Sequence, residues 1–276
     1  MPELPEVETV CRGLRPHIVN QTIIAIHNSG YHLRREIPHG ELARDLIGTT
    51  IVRVDRRAKY ILISMASGHI LVIHLGMTGK LGIYAPSLPP AKHCHLRFVF
   101  SNGQEMRYID SRRFGSVQLC PPAKAAEIEQ HFFPTTGPEP FSSLCSSAYL
   151  HKTAQGRAVA IKIFIMTNAV MAGVGNIYAN ESLFQAGIRP DKAAGQLSSQ
   201  EWQDLIDHIR AVLNEAIACG GSTISDYVNA DQQQGYFQIN FRVYGRKGEN
   251  CQTCGTLIEK MVLGGRATYF CPKCQQ

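Results

Sequence analysis

Four cysteines near the C-terminus constrain this chain most strongly. Cys251-x-x-Cys254 is followed, after sixteen residues, by Cys271-x-x-Cys274. Two close pairs at this separation match a tetrahedral zinc site of four thiolates, in which each pair turns through a short knuckle. The segment between the pairs is basic and carries Arg266 just before the second pair. The pattern therefore predicts a zinc-stapled β-hairpin that presents an arginine, and a pair of disulfides is the weaker alternative.

Length and composition indicate a globular protein with more than one domain. With 276 residues, 44% of them apolar, the chain can form two modest domains and a small module. The candidate apolar segment, Ala158–Met166, is too short for a membrane span and is interrupted by Lys162. The N-terminus has no apolar signal-peptide core, because prolines and glutamates come first. We therefore expect no membrane association.

The remaining cysteines indicate the redox environment. Five of them lie singly among apolar residues: Cys11, Cys94, Cys120, Cys145 and Cys219. Together with a thiolate zinc site, this usage favours a reducing cytoplasm over a disulfide framework.

Charge is unevenly distributed along the chain. The formal net charge is +6, divided as +5 over residues 1–131, −3 over residues 132–241 and +4 over residues 242–276. A polyanion such as nucleic acid would be held by the two basic ends. The middle segment would have to bind it by means other than bulk charge.

Short apolar runs separated by turn signals predict an antiparallel β-sandwich or barrel in the first half. A helix comes first, because apolar residues recur at helical spacing from Val7 to Leu14, and it is predicted to end near Pro16. The predicted strands that follow are Thr22–His27, Thr50–Val54, Tyr60–Met65, His69–Leu75, Leu96–Phe100, Met106–Ile109 and Ser116–Leu119.

A proline-rich linker, Phe133–Pro140, precedes a change to helical patterns. The predicted helices are Ser142–Lys152, Ala158–Asn168, Asn176–Ala186, Ser198–Cys219 and Thr223–Val228. We therefore predict an α+β multidomain protein, divided into residues 1–131, 132–241 and 242–276.

The first residues can form a reactive terminus. Removal of Met1 would expose the secondary amine of Pro2. An α-amino group has a pKa near 8, so roughly 10% of it is unprotonated at pH 7, against about 0.04% of a lysine. Addition of a secondary amine to a sugar C1′ can only give a cationic iminium, which acidifies the C2′ proton. Glu3 could act as a general acid if a dry pocket raises its pKa, although Met-Pro-Glu starts are also common without this chemistry.

Three further segments carry candidate nucleic-acid contacts. Lys59 lies in a basic turn that enters an apolar strand and could contact phosphates, with a solvated turn as the alternative. Met77, Arg112 and Phe114 could form an apolar wedge that fills the gap left by a flipped base, although such residues are more often core. Gly173-Val174-Gly175-Asn176 opens a helix and is typical of a phosphate site at its positive end, or of a plain tight turn.

Taken in order, these motifs resemble the bacterial formamidopyrimidine-DNA glycosylases, which are bifunctional glycosylase/lyases of base-excision repair. The resemblance covers the whole length. It includes Met1-Pro2-Glu3-Leu4-Pro5-Glu6-Val7-Glu8-Thr9, Arg57-Ala58-Lys59-Tyr60, His74-Leu75-Gly76-Met77, Arg112-Arg113-Phe114-Gly115, Gly173-Val174-Gly175-Asn176-Ile177-Tyr178, Tyr244-Gly245-Arg246 and the cysteine hairpin with Arg266.

The resemblance implies an architecture and its partners. The expected domains are an N-terminal catalytic β-sandwich flanked by helices, a helix-two-turn-helix domain with a lesion-covering loop over residues 222–237, and a C-terminal zinc-ribbon hairpin. One structural Zn²⁺, damaged double-stranded DNA as partner, a monomer and a location in the bacterial cytoplasm at the nucleoid are implied with it. Within the loop, Ser225 stands where some relatives carry a basic residue, which leaves the lesion preference open.

The resemblance also implies roles for single residues. Pro2 would attack C1′, Glu3 would donate the proton for ring opening and base loss, Lys59 would donate in β-elimination and Arg266 in δ-elimination. Met77, Arg112 and Phe114 would fill the vacated stack, with Arg112 facing the orphaned cytosine. The remaining expected DNA contacts are Glu6, His74, His93, Arg157 and Asn176, and the expected metal ligands are Cys251, Cys254, Cys271 and Cys274.

Two alternatives remain at this point. The related endonuclease VIII type, which acts on oxidised pyrimidines, shares the Pro2/Glu3 start and the zinc hairpin. Leu4 and the Arg112-Arg113-Phe114 segment favour the purine type. A zinc-ribbon protein that binds nucleic acid without catalysis would leave Pro2 and Glu3 dispensable.

Overall fold

The computed structural model describes residues 2–221 and 241–276. The described residues divide into two compact units. The first contains the chain up to Pro134 together with Gly220 and Gly221, and the second contains Thr135–Cys219 and residues 241–276. The finer division into three domains stays a prediction. None of the described helices combines the length and the apolar character that crossing a bilayer requires.

The first unit is built on two four-stranded antiparallel sheets, as the sequence predicted. Their strand orders are β1-β6-β7-β5 and β2-β3-β4-β8. Inward side chains of both sheets, such as Ile61 and Phe98, belong to one apolar core, so the sheets form a sandwich. The strands are β1 (Ile23–Asn28), β2 (Ile51–Arg57), β3 (Tyr60–Met65), β4 (Ile70–His74), β5 (Lys80–Tyr84), β6 (Cys94–Phe100), β7 (Glu105–Ile109) and β8 (Ser116–Cys120).

Four helices accompany the sandwich: α1 (Leu4–Ile18), α2 (His39–Leu46), α3 (Pro122–Ala125) and α4 (Ile128–Phe132). Helix α1 packs its apolar stripe on β2 and β3. It continues past the predicted end at Pro16, because the fully buried Ile18 ties its last turn to the core. A proline inside a helix removes one hydrogen bond and crowds the carbonyl four residues earlier, so the last turn of α1 depends on tertiary contacts such as that of Ile18.

The sequence prediction lacked four elements of the first unit: strand β5, helix α2 and the short helices α3 and α4. Strand β5 has Gly82 at its centre and therefore little intrinsic strand propensity, but it pairs along its whole length with β7. Helix α2 has only eight residues and is held by the fully buried Leu42 and Leu46. Strand β5 and helix α2 both depend on tertiary contacts, which local patterns do not report.

The second unit is helical, with a C-terminal hairpin. Its helices are α5 (Ser147–Ala154), α6 (Ile161–Met166), α7 (Asn176–Gln185) and α8 (Ser199–Ala218), and its strands are β9 (Glu259–Leu263) and β10 (Arg266–Phe270). The predictions for α7 and α8 agree with the structure to within one residue at each end. The helix predicted over Thr223–Val228 lies outside the described residues.

Two predicted helices were too long. Helix α5 begins after Ser146, whose hydroxyl accepts the N–H of Tyr149, and not at Ser142. Helix α6 begins only at Ile161, because Ala160 pairs with Ala193 as an isolated β-bridge and so holds the preceding residues extended. In both cases a specific hydrogen bond fixes the boundary.

Candidate active site and DNA interface

The start of α1 holds the predicted nucleophile and acid. Pro2 is partly exposed and directly precedes Glu3, the N-cap of the helix. Glu3 and Glu6 form a capping box, in which the Glu3 N–H donates to Glu6 Oε2 at 2.8 Å. Both carboxylates are almost fully buried, with 4% and 3% of their surface exposed. The capping box therefore fixes the backbone beside Pro2 at the positive end of a helix.

A glycine turn closes against this capping box. Gly221 has a φ of +84°, and a Cβ added there would lie 3.1 Å from Glu6 Oε1 and Cγ. Any larger side chain would strain the backbone and press on Glu6. Gly221, which follows the end of α8, is thus also part of the surroundings of Glu6.

Lys59 lies in the two-residue turn between β2 and β3. Its neighbour Ala58 is buried and has a φ of +53°, a strained conformation for a residue with a Cβ. Arg56 holds this turn, since its guanidinium donates to the Ala58 carbonyl at 2.9 Å and to Glu8 of α1 at 3.3 Å. These bonds link the turn that carries Lys59 to the helix that follows Pro2.

His74, at the end of β4, lies beside this turn. It pairs in register with Tyr60, and the two ring centroids are 4.7 Å apart. Burial, with the nearby charges of Lys59 and Arg34, lowers the pKa of His74 to about 4. Its Nδ1 accepts the N–H of Gly76 at 3.0 Å, so the neutral ring carries its proton on Nε2. His74 is therefore a neutral hydrogen-bond donor near neutral pH.

The residues of the predicted wedge lie on two adjoining loops. Met77 is 41% exposed and Phe114 is 46% exposed. Gly76 packs so closely on the second loop that an added Cβ would lie 2.5 Å from the carbonyl carbon of Phe114. The guanidinium of Arg112 stacks on the Phe114 ring at 4.7 Å from its centroid. The structure thus brings the two segments together, as the sequence suggested.

Asp110 organises these loops, a role that no sequence pattern indicated. It is fully buried, and its carboxylate accepts the hydroxyl of Thr78, the N–H of Arg112 at 3.3 Å and the N–H of Gly115 at 2.9 Å. A buried carboxylate with several donors fixes both loops at once. Its partners lie up to 32 residues away, which no local pattern reports.

The second unit holds the other predicted phosphate contacts. Asn176 is the first residue of α7, at the positive end of that helix, and its Nδ2 donates to the Ala267 carbonyl at 3.1 Å. Arg266, next to Ala267, is exposed at the start of β10. The buried Lys162 donates to the same carbonyl at 3.0 Å and to Thr268 Oγ1 at 2.6 Å. Arg157 is exposed after α5.

The four cysteines converge as predicted. Their sulfur atoms all lie within 4.8 Å of one another, with 3.9 Å between Cys251 and Cys274 and 3.4 Å between Cys254 and Cys271. A tetrahedral zinc ion with Zn–S bonds of about 2.3 Å separates its sulfurs by about 3.8 Å. All four are free thiols, which excludes the disulfide alternative. The donor set fits one structural zinc ion.

Glu181 on α7 is a second buried acid that sequence patterns did not reveal. Its carboxylate accepts the backbone N–H groups of Arg242, Val243 and Tyr244 at 2.8 to 3.1 Å. It therefore fixes the entry of the chain into the zinc module. The predicted lesion-covering loop, residues 222–237, lies outside the described residues.

Family models match the chain in three consecutive ranges. Residues 1–117 match the formamidopyrimidine-DNA glycosylase N-terminal domain, residues 136–228 match the corresponding H2TH domain, and residues 248–276 match a zinc finger found in FPG and IleRS. Proteins named formamidopyrimidine-DNA glycosylase from Magnetococcus marinus and Vibrio parahaemolyticus are each 45% identical to the chain over 276 residues, covering 100% of both sequences. The chain belongs to this glycosylase family. The predicted fold class, family resemblance and structural zinc ion are therefore confirmed.

Solved structures of a family member have the same fold over their full length. A mutant of Lactococcus lactis FPG in complex with DNA containing Fapy-dG has a TM-score of 0.90 and 36% sequence identity. Lactococcus lactis Fpg in complex with DNA containing an abasic site has a TM-score of 0.89 and 34% identity. In both comparisons 100% of each chain is covered.

Proposed function

We propose that this chain removes oxidised purines, such as 8-oxoguanine and formamidopyrimidines, from double-stranded DNA and cleaves the strand by β,δ-elimination. It is a DNA glycosylase of base-excision repair with AP lyase activity, as its family membership establishes. The observation that carries the residue assignments is the start of α1, where Pro2 precedes the buried capping box of Glu3 and Glu6.

Pro2 is proposed as the nucleophile. Once Met1 is removed, the lone pair of the Pro2 nitrogen attacks C1′ and the bond from C1′ to the base breaks, with its electrons leaving on the base. The attacking nitrogen then loses its proton, and its lone pair forms the iminium with C1′ as the C1′–O4′ bond of the sugar ring breaks and O4′ takes a proton. The adjacent helix end disfavours positive charge, which supports a neutral amine as the attacking species.

Glu3 is proposed as the proton donor for ring opening and base loss. Its burial and its position next to Pro2 support this role, because a proton donor must lie within reach of the sugar that Pro2 attacks. Glu6 acts through the capping box and helps to position the damaged nucleotide. Because Glu6 accepts the N–H of Glu3, the two acids hold each other in place.

Lys59 and Arg266 are proposed to serve the eliminations. Loss of the C2′ proton from the iminium expels the phosphate at C3′, and a second elimination expels the phosphate at C5′. Lys59 donates a proton in the first step and Arg266 in the second, and each also binds a phosphate. The Arg56 and Ala58 bonds hold the Lys59 turn, and the Ala267 carbonyl holds the strand that carries Arg266.

The remaining predicted residues are proposed as DNA contacts. His74 and Asn176 bind phosphates, the first through Nε2–H and the second at the positive end of α7. Met77, Arg112 and Phe114 fill the stack that the damaged base vacates, and Arg112 faces the orphaned cytosine. His93 and Arg157 are exposed, and both are proposed to contact the DNA backbone. We expect a monomer in the bacterial cytoplasm, at the nucleoid.

The acid role of Glu3 can be tested by separating base loss from strand cleavage. With Glu3→Gln, excision of 8-oxoguanine should fall about a hundredfold or more, because a positioned proton donor contributes 10²–10⁴ to such a step. Some cleavage at a pre-formed abasic site should remain, since no base has to leave there. Single-turnover rates on the two duplexes measure both steps.

Glu41→Gln is the matched control for this test, since Glu41 is an exposed acid in the first turn of α2. It should leave both rates unchanged. Equal loss of both steps in Glu3→Gln would contradict the assigned role.

A further inference from the structure

Two arginines stand directly before the turn that carries Lys59, and both are paired with acids of the first unit. Arg56 Nε lies 3.3 Å from Glu8 Oε2, and Arg57 Nε lies 2.8 Å from Glu129 Oε1. The two arginine side chains are 9% and 16% exposed. A guanidinium that a carboxylate already neutralises releases few counterions on meeting a phosphate. The positive charge of these arginines is therefore used within the protein.

Helix α1 is tied to three successive residues of β2. The contacts are Arg15 Nε to the Val54 carbonyl at 2.8 Å, Cys11 Sγ to the Asp55 carbonyl at 3.4 Å and Arg56 Nε to Glu8 Oε2 at 3.3 Å. Residue numbers fall along the helix as they rise along the strand, so the two elements run in opposite directions. The end of β2 that leads to Lys59 therefore lies toward the end of α1 that follows Pro2.

The Glu8 contact continues into the turn itself. Nη1 of Arg56 donates to the carbonyl of Ala58 at 2.9 Å. Ala58 is buried and has a φ of +53°, which costs on the order of 1 kcal/mol for a residue other than glycine. Such a conformation persists only where its surroundings hold it. The contacts from Glu8 through Arg56 to Ala58 supply this hold, next to Lys59.

The two carboxylate oxygens of Glu8 have separate partners. Oε1 accepts from Arg12 at 3.1 Å and lies 3.5 Å from a guanidinium nitrogen of Arg15, both on α1 itself. Oε2 accepts from Arg56. Only 15% of the Glu8 side chain is exposed. Glu8 is thus held at one oxygen by its own helix and presents the other to the turn.

We propose that Glu8, acting through Arg56, is a positioning residue for Lys59. The inference rests on the proposed role of Lys59 as the proton donor of β-elimination. In that step the iminium gives its C2′ proton to water and a C2′–C3′ double bond forms. The phosphate leaves with the electrons of the C3′–O bond and takes a proton from Lys59. Glu8 contributes by holding the turn so that the Lys59 ammonium meets the leaving phosphate.

Loss of Glu8 should therefore slow elimination more than the steps before it. Base loss and iminium formation depend on Pro2 and Glu3, and the capping box with Glu6 fixes the backbone there independently. A smaller amount of folded enzyme, in contrast, would lower every step alike. Selective slowing of elimination separates a positioning role from a merely structural one.

The test is borohydride trapping on a duplex with a pre-formed abasic site, with enzyme in excess and samples taken over time. Each trapped adduct carries either an intact or a cleaved strand, and a denaturing gel separates the two. Glu8→Ala should raise the ratio of intact to cleaved adduct about tenfold or more, because displacement of a catalytic group by about 1 Å can cost about 10² in rate. Unfolded protein forms neither adduct, so the ratio does not depend on the folded fraction.

Arg56→Lys should have the same effect, because one ammonium cannot reach both Glu8 and the Ala58 carbonyl as the planar guanidinium does. The variant with both substitutions should match the single ones, since both act through the same series of contacts. Arg12→Gln is the matched control. It removes an ion pair of the same carboxylate from an exposed position and should leave the ratio unchanged.

Lys59→Ala is measured beside these variants and should raise the ratio at least as far as Glu8→Ala. If it does not raise the ratio, the proposed role of Lys59 fails and the positioning role of Glu8 fails with it. A different outcome overturns the positioning role alone. In that case Lys59→Ala raises the ratio, while Glu8→Ala and Arg56→Lys leave it at the native value or Arg12→Gln raises it equally.

Discussion

His74 has the most definite protonation state of the candidate DNA contacts. Its pKa lies near 4 because the ring is buried and because Lys59 and Arg34 add positive charge around it. Near neutral pH it is uncharged, with its proton on Nε2. It can therefore donate a hydrogen bond to a phosphate without releasing a counterion, unlike a lysine or an arginine.

This state gives a prediction for binding and for pH. His74→Gln should weaken DNA binding several-fold and leave the salt slope unchanged, because no charge is lost. Since the folded pKa lies below the ordinary value of about 6.5, the contribution of His74 to stability is complete above pH 6.5 and declines as the pH falls toward 4. Salt titrations and NMR of the imidazole nitrogens measure both effects.

His27→Gln is the control, since His27 is exposed on β1. A smaller salt slope in His74→Gln, or a titration midpoint near 6.5, would contradict this account.

Some site residues could be predicted from the sequence and others could not. The four cysteines could be predicted from the spacing of their two pairs, and Pro2 and Glu3 from the terminal motif together with the family resemblance. Asp110 and Glu181 act through partners up to 32 and 63 residues away. Their roles depend on which loops meet in the folded chain, and single-sequence patterns contain no such information.

At the scale of elements, the hairpin of β9 and β10 is fixed by helix α7 together with Lys162 of α6. Asn180 accepts the N–H of Tyr269 at 2.7 Å, Asn176 donates to Ala267, and Glu181 holds the backbone of 242–244. The sequence predicted the hairpin and α7 separately, because each has its own local signal. It did not predict that the helix would present three polar side chains to the zinc module.

Zinc removal tests this arrangement. A chelator should increase hydrogen exchange in residues 242–276 and in α7, because the thiolates that staple the module lose their shared ligand. DNA affinity should fall at least about tenfold, since Arg266 is no longer held. The strands of the first unit, β1 to β8, should keep their protection, because their core is independent of the zinc site.

Mass spectrometry measures hydrogen exchange in the two regions before chelation, after chelation and after zinc is returned. Equal loss of protection in β1–β8 and in residues 242–276 would show that the zinc module is not a separate element of stability.

At the scale of the whole molecule, charge and chemistry are distributed between two units. The predicted nucleophile, acid, Lys59 turn and wedge belong to the first unit, and Asn176, Arg266 and the zinc site belong to the second. The acidic stretch of residues 132–241 contributes a helix terminus at Asn176 rather than a basic surface. The N-terminal and C-terminal segments of the chain are basic, and the proposed phosphate site at Asn176 between them carries no charged side chain. This distribution suits a ligand whose backbone is uniformly charged.

The central claim is that Pro2 is the nucleophile of a glycosylase that acts on oxidised purines. Borohydride reduces an iminium to a stable amine, so it traps the enzyme on DNA only while that bond exists. The substrate is a duplex with 8-oxoguanine opposite cytosine, and the native protein is compared with Pro2→Gly and with an N-terminally blocked form. The account predicts a covalent adduct with the native protein, little with Pro2→Gly and none with the blocked form. An adduct of equal yield with the blocked form would contradict it.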